Sequence, residues 1–201
     1  MARSYHSPAR EQKAAETRAQ ILDALVALLV AEGIEDLSVR TLAARAGVSE
    51  RTVYRYFPDR PALLDGLGEF VAERVQWNDP ADFAGDLEDL AELVIDNYAS
   101  YERYPDEVRA LALLSADPAR TSKLSKRNQD VIRDAIARAH PDMPAEVVQV
   151  FEAALHVAAS SRTWLRYRDE FGLSAEQAAR AARRSVRAII AEFSRQPAMP
   201  S

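Results

Sequence analysis

Apolar residues recur every three or four positions through most of this chain, the period of a helix with one buried face. Ile21, Leu25, Leu28 and Leu29 form the first such stripe, and Gly33 closes it. The preceding Thr17–Gln20, "TRAQ", has the form of a capping box, which predicts a helix start there and leaves residues 1–16 as a flexible arm. Val39, Leu42, Ala43 and Ala46 make a second, short stripe behind an N-cap residue, Ser38. Gly47 breaks it, Val48 turns inward, Ser49 caps a third short helix, and Pro58 stops that one. Asp59 caps a fourth helix, with Arg60 and Pro61 in a first turn where proline is tolerated. The pattern then predicts helices to about Gln76, over 86–102, 106–115 and 119–139, and two long ones over 145–168 and 174–195. The last opens with a second capping box, "SAEQ", behind Gly172. No stretch has strand period and no internal repeat is visible, so the predicted fold class is all-α.

Composition narrows the classes of function. The 201 residues suffice for one domain with a sizeable core, or two small ones. There is no cysteine, which excludes disulfides, thiolate metal sites and a cysteine nucleophile. No apolar run has the length of a signal sequence or a membrane span, so a cytoplasmic protein with no membrane partner is expected. Three histidines, no paired carboxylates at metal-ligand spacing and no glycine-rich phosphate loop leave little for an enzyme to work with. Glu152 and His156 are four apart but lack the flanking histidine of a zinc helix. No catalytic residue, metal site or cofactor is expected. The net charge of −5 is unevenly spread. Residues 1–65 carry nine basic and nine acidic side chains, residues 66–117 three and thirteen, and residues 118–201 fourteen and nine. The acidity thus belongs to the middle of the chain.

Helix, tight glycine turn, helix is the pattern of a helix-turn-helix. On its second helix Arg51 and Arg55 are one turn apart and share a face, with Thr52 and Tyr56 beside them. Guanidinium groups can bond guanine edges bidentately, and hydroxyls can bond phosphate oxygens, so this face suits a DNA groove. The stretch from Thr17 to Leu64, above all "AGVSERTVYRYFPDRPALL", resembles the DNA-binding domain of the TetR/AcrR family of bacterial transcriptional regulators. The resemblance implies base or phosphate contacts for Arg51, Thr52 and Arg55, with Ser49 at the head of the same helix. It implies a phosphate contact for Tyr56, a role shared between packing and backbone contact for Tyr54, and a phosphate contact for Arg60. Ser38, Arg40 and Thr41 would meet the opposite backbone wall. Arg51 stands where many members carry glycine, so base preference does not transfer from relatives.

The remainder matches the family in being helical and of suitable length. The expected division is a DNA-binding domain over 1–65, with its flexible arm, and a ligand-binding and dimerisation domain over 66–201. Val147, Val150, Ala154, Ala158 and Arg162 on the first closing helix are candidates for a dimer interface. Ala178, Ala181, Ala182, Ser185, Ile189 and Phe193 are candidates on the second, where small residues allow close approach. One stripe is expected to face inward and another a second copy. Tyr98, Tyr101, Leu111 and Leu114, with Phe151, Leu155, His156 and Trp164, are candidate lining groups of an apolar pocket with a few polar atoms. The resemblance implies a homodimeric repressor on a palindromic double-stranded DNA operator, released by a small apolar or amphipathic effector. An activator, or an effector-independent regulator, of the same family is the alternative.

Overall fold

The computed structural model describes residues 8–33, 37–75, 85–114 and 123–195. Ten α-helices lie among the described residues: α1 (Pro8–Glu32), α2 (Val39–Arg45), α3 (Glu50–Tyr56), α4 (Arg60–Val75), α5 (Leu87–Arg103), α6 (Pro105–Leu114), α7 (Lys123–Ala139), α8 (Ala145–Ala159), α9 (Ser161–Asp169) and α10 (Ala175–Arg195). The fold is all-α. No helix among the described residues is long and apolar enough to cross a membrane.

The caps explain most boundaries. Ser38 Oγ accepts from Thr41 N at 3.0 Å, and Ser49 Oγ from Thr52 N at 3.1 Å. Asp59 Oδ1 accepts from Ala62 N at 2.8 Å. Each bond satisfies an amide that has no partner inside its own helix. Gly47 sits at φ +65, the left-handed conformation that lets α2 turn sharply into α3. The second capping box forms as expected: Gln177 N donates to Ser174 Oγ at 3.2 Å, and Ser174 N to Gln177 Oε1 at 2.8 Å.

Two boundaries depart from the sequence reading. The first helix starts at Pro8, so residues 8–16 are helical and not a flexible arm; residues 1–7 lie outside the described ones. Thr17 is therefore no cap. Its hydroxyl donates to Lys13 O at 2.8 Å inside the helix, and Gln20 Nε2 reaches across to Ala46 O at 2.8 Å. The expected 145–168 helix is two helices broken at Ser160, whose backbone is extended at φ −73, ψ 152. Ser160 Oγ accepts from Thr163 N at 3.2 Å and donates to Val157 O at 2.9 Å, so the break is capped on both sides. The expected start of the 119–139 helix and the "WNDP" stop lie outside the described residues.

One apolar core runs from Ile21 on α1 to Ile190 on α10. α10 packs along α5 and against α8, α7 against α8, α6 against α9, and α1 against α6. α4 touches α1, α6 and α7, and it runs through position 65 without a break. Each fully buried Leu, Ile or Phe side chain contributes about 1.5–3 kcal/mol. Gly66 lets α4 approach closely: a Cβ there would stand 2.6 Å from Phe57 Cε1.

Candidate nucleic-acid interface and ligand region

α3 is held by its inner side. Val53 and Phe57 are buried, and Phe57 meets the Arg18 guanidinium of α1 at 5.5 Å from its ring centroid. Arg18 is itself fixed by Glu69 of α4 at 3.0 Å. The outer side carries Arg51, Tyr54 and Arg55, all exposed, with Thr52 half-buried beside them. Tyr54 is 51% exposed, whereas Tyr56 is half-buried and packed against the core. The expected emphasis between the two tyrosines is thereby shifted, because Tyr56 lies about 60° from Val53 around the helix and Tyr54 about 100°. Arg55 stacks over the Tyr56 ring at 4.9 Å, and its Nη2 donates to the Tyr56 hydroxyl at 3.4 Å. Ser38, Arg40, Ser49 and Arg60 are exposed and Thr41 is half-buried. Ser38 and Ser49 have their hydroxyls engaged in caps and within hydrogen-bond distance of Thr41 and Thr52. The recognition face is therefore a row of cations and hydroxyls on a short helix whose ends and inner side are fixed.

Sequence reasoning missed what ties this unit to the rest. Arg74 on α4 donates to Asp23 of α1 at 2.6 Å and to Glu107 of α6 at 3.2 Å, with its guanidinium over the Phe70 ring at 4.5 Å. Only its basic character at a helix end was visible in the sequence.

Three of the candidate lining groups, Tyr98, Tyr101 and Trp164, pack on one another. Tyr98, Tyr101, Leu111, Phe151, Leu155 and Trp164 are buried; Leu114 has its side chain outside the described residues. Tyr98 and Tyr101 lie 5.5 Å apart, and Tyr101 meets Trp164 edge-on at 5.6 Å. Trp164 Nε1 donates to Glu102 Oε1 at 3.0 Å, and the same oxygen pairs with Arg168 at 3.1 Å. The Tyr98 hydroxyl donates at 3.4 Å to the Ser160 carbonyl, which also accepts from Trp164 N at 3.1 Å. Burial pushes both tyrosine hydroxyls well above their usual range, so both stay protonated donors. Phe151 stands apart from this group, stacked on Phe193 of α10 at 4.5 Å. His156 is half-buried, and burial lowers its pKa against the opposing pull of Glu152. Glu102 and Ser160 were not singled out in the sequence; a serine followed three residues later by threonine, "SSRT", was the signal for the second.

The expected interface residues divide. Ala158, Ala178 and Ala182 are buried within the chain, as part of its own core, and Phe193 is occupied by Phe151. On the outer side of α8, Val150 is 59% exposed and Val157 63%, and Val147 and Ala154 are half-buried. Arg162 is exposed; Ala181, Ser185 and Ile189 on α10 are half-buried. A shallow groove of about 280 Å³ runs over Leu173, Gln177, Arg180, Ala181 and Arg184.

Three acidic residues of the middle segment, Glu88, Glu92 and Glu102, pair with arginines of the basic end. Arg183 pairs with Glu92, and Arg187 reaches Glu88 at 3.2 Å and Glu92 at 3.1 Å, joining α10 to α5. Arg109 grips Asp169 through two bonds of 2.6 and 2.9 Å. Among the described residues no cluster of three His, Asp or Glu is placed to hold a metal ion.

Residues 21–67 match the family described as "Bacterial regulatory proteins, tetR family". Over its helix-turn-helix segment the chain is therefore similar to the TetR family. The chain is 34% identical over 104 residues to the HTH-type transcriptional repressor DrrR1 of Streptomyces coeruleorubidus, covering 49% of this chain and 36% of that protein. It is 39% identical over 61 residues to the nucleoid occlusion factor SlmA of Alteromonas mediterranea, covering 30% and 31%. The chain thus spans about a third of the length of these curated relatives. The likeness in fold runs along most of the chain. NalD, the secondary repressor of the MexAB-OprM multidrug efflux pump in Pseudomonas aeruginosa, superposes with a TM-score of 0.64 at 18% identity, over 90% of this chain and 96% of that one. A TetR-like transcriptional regulator from Rhodococcus sp. RHA1 gives 0.59 at 15%, over 87% and 96%.

Proposed function

We propose that this protein is a dimeric transcriptional repressor of the TetR family that binds a two-fold symmetric operator and is released by a small apolar or amphipathic effector. The observation that carries this reading is the outer face of α3, where Arg51, Tyr54 and Arg55 project from a helix anchored by Val53 and Phe57. Arg51 and Arg55 read base edges or adjacent phosphates; Thr52, Tyr56 and Arg60 bind the backbone, with Ser38, Arg40, Thr41 and Ser49 at the margins. One half-site gives weak binding, and a two-fold dimer supplies the second. The exposed valines of α8 and the outer face of α10 support the dimer, because an unpaired apolar stripe of this kind favours association.

The effector region is the aromatic cluster of Tyr98, Tyr101 and Trp164 with Glu102. A ligand that enters there displaces α5 from α9. α6 packs on α9 and also on α1, so a shift of α6 is felt at the helix-turn-helix unit. A ligand favouring the state with wrongly spaced recognition helices weakens DNA binding by the factor by which DNA weakens the ligand. Duplexes selected by the protein from a random pool test the reading. A recovered motif with two-fold symmetry supports a dimeric operator-binding protein, and the absence of any enriched motif at low salt rejects it.

A further inference from the structure

The nine-residue extension of α1 ahead of Thr17 has no part in the functional reading above. It is a helix whose side chains from Pro8 to Lys13 are all exposed. Its direction is fixed by two contacts. Asp23 is held through Arg74 toward α6, and Gln20 Nε2 bonds Ala46 O at the turn that leads into α3. Continuing toward the N-terminus, the helix leaves α6 behind and runs past that turn. At about 100° per residue, Lys13, Thr17 and Arg10 lie within about 80° of the Gln20 direction, on the side of the turn. At 1.5 Å per residue, Lys13 and Arg10 stand about 10 and 15 Å beyond Gln20 along the axis. Glu11 lies about 180° away, on the opposite side. Glu16, about 40° from Gln20, accepts a hydrogen bond from Gln12 Nε2 at 3.0 Å. Arg10 and Lys13 have no acidic partner among the described residues.

We infer that the N-terminal extension of α1 is a second DNA contact, in which Arg10 and Lys13 bind phosphates of the duplex beyond the segment read by α3. The inference rests on the reading of α3 as the recognition helix. The charge chemistry selects a polyanion: two exposed cations one turn apart, on the side of α1 that faces the turn into α3, meet a backbone with one negative charge per ~1.7 Å of axis. The contact adds affinity and fixes orientation without reading sequence.

The experiment measures affinity against salt concentration for a duplex recovered by the wild-type protein from a random pool. Each phosphate contact contributes about 0.9 to the slope of log K against log salt. Arg10→Ala combined with Lys13→Ala is expected to lower that slope by about 1.8 per subunit while leaving the preference for the recovered duplex over a scrambled one unchanged. Lys126→Ala with Arg127→Ala removes two exposed charges from α7 and is expected to leave the slope as it was. An unchanged slope in the first variant, or an equal drop in both, overturns the inference and leaves the role of α3 standing. Loss of salt-dependent binding by the wild-type protein itself overturns both.

Discussion

Glu152 is the residue where side-chain chemistry and burial conflict most. It is only 8% exposed, and it is satisfied by Arg133 through bonds of 2.8 and 2.9 Å from α7. Removing Arg133 leaves a carboxylate that cannot regain full hydration. Arg133→Ala should therefore cost about 2 kcal/mol in chemical denaturation, with Glu152→Gln in the same background recovering part of the loss. The Arg109–Asp169 pair is more exposed and correspondingly weaker. Its hydrogen bonds hold the Asp169 carboxyl below the usual carboxylate range, so its stabilisation is present at neutral pH and disappears as pH falls through the lowered pKa. Asp169→Asn should be less stable than the parent by about 0.2–1 kcal/mol at pH 7, and the gap should close below about pH 4. A gap that persists at pH 2 would contradict that assignment. Neither partner choice was legible in the sequence, because ion pairs here join residues 19 and 60 positions apart.

At the scale of elements, caps were readable where a polar residue stood directly before an apolar stripe: Ser38, Ser49, Asp59 and Ser174 all start helices. Thr17 shows the limit of that rule. Its polar flank continues upstream as helix with alanines at 14 and 15, so the cap signal lay inside the helix and not at its end. The Ser160 break was hidden for the opposite reason, since no glycine or proline marks it and the apolar period continues across it. Gly66 is a third feature set by tertiary approach. Helix propensity alone would favour alanine there by about 1 kcal/mol. The 2.6 Å approach to a buried ring reverses the sign, and Gly66→Ala should destabilise the protein by about 1–3 kcal/mol. Thermal melts of that variant decide between the two effects. A rise in Tm would mean that the α3–α4 contact is loose.

For the whole molecule, the sequence disclosed the helix-turn-helix and the all-α class because both rest on local periodicity and turn chemistry. It could not assign each apolar stripe to core or surface. Ala178 and Ala182 share a helix with Ala181 and Ser185, and only the packing of α10 along α5 decides which of them is buried. Of the expected lining groups, Tyr98, Tyr101 and Trp164 pack on one another while Phe151 stacks on Phe193, and the polar partners Glu102 and Ser160 come from other helices than the side chains they bond. The proposed dimer uses what remains outside. Val150→Glu with Val157→Glu places charge on the exposed stripe of α8, leaves the buried core untouched, and should convert the dimer to monomers in analytical ultracentrifugation. A variant that sediments unchanged would remove α8 from the interface.

The central claim is that the exposed face of α3 reads DNA sequence, and its most direct test is the affinity of the Arg51→Ala variant for the selected duplex and for an unrelated one. The account predicts that the ratio of the two affinities falls by about five- to 150-fold, the loss of a bidentate base contact of roughly 1–3 kcal/mol. Binding to the unrelated duplex should change little. An unchanged ratio would contradict the assignment of Arg51 to base reading, and unchanged binding after Arg51→Ala and Arg55→Ala together would contradict the account of α3 as a recognition helix.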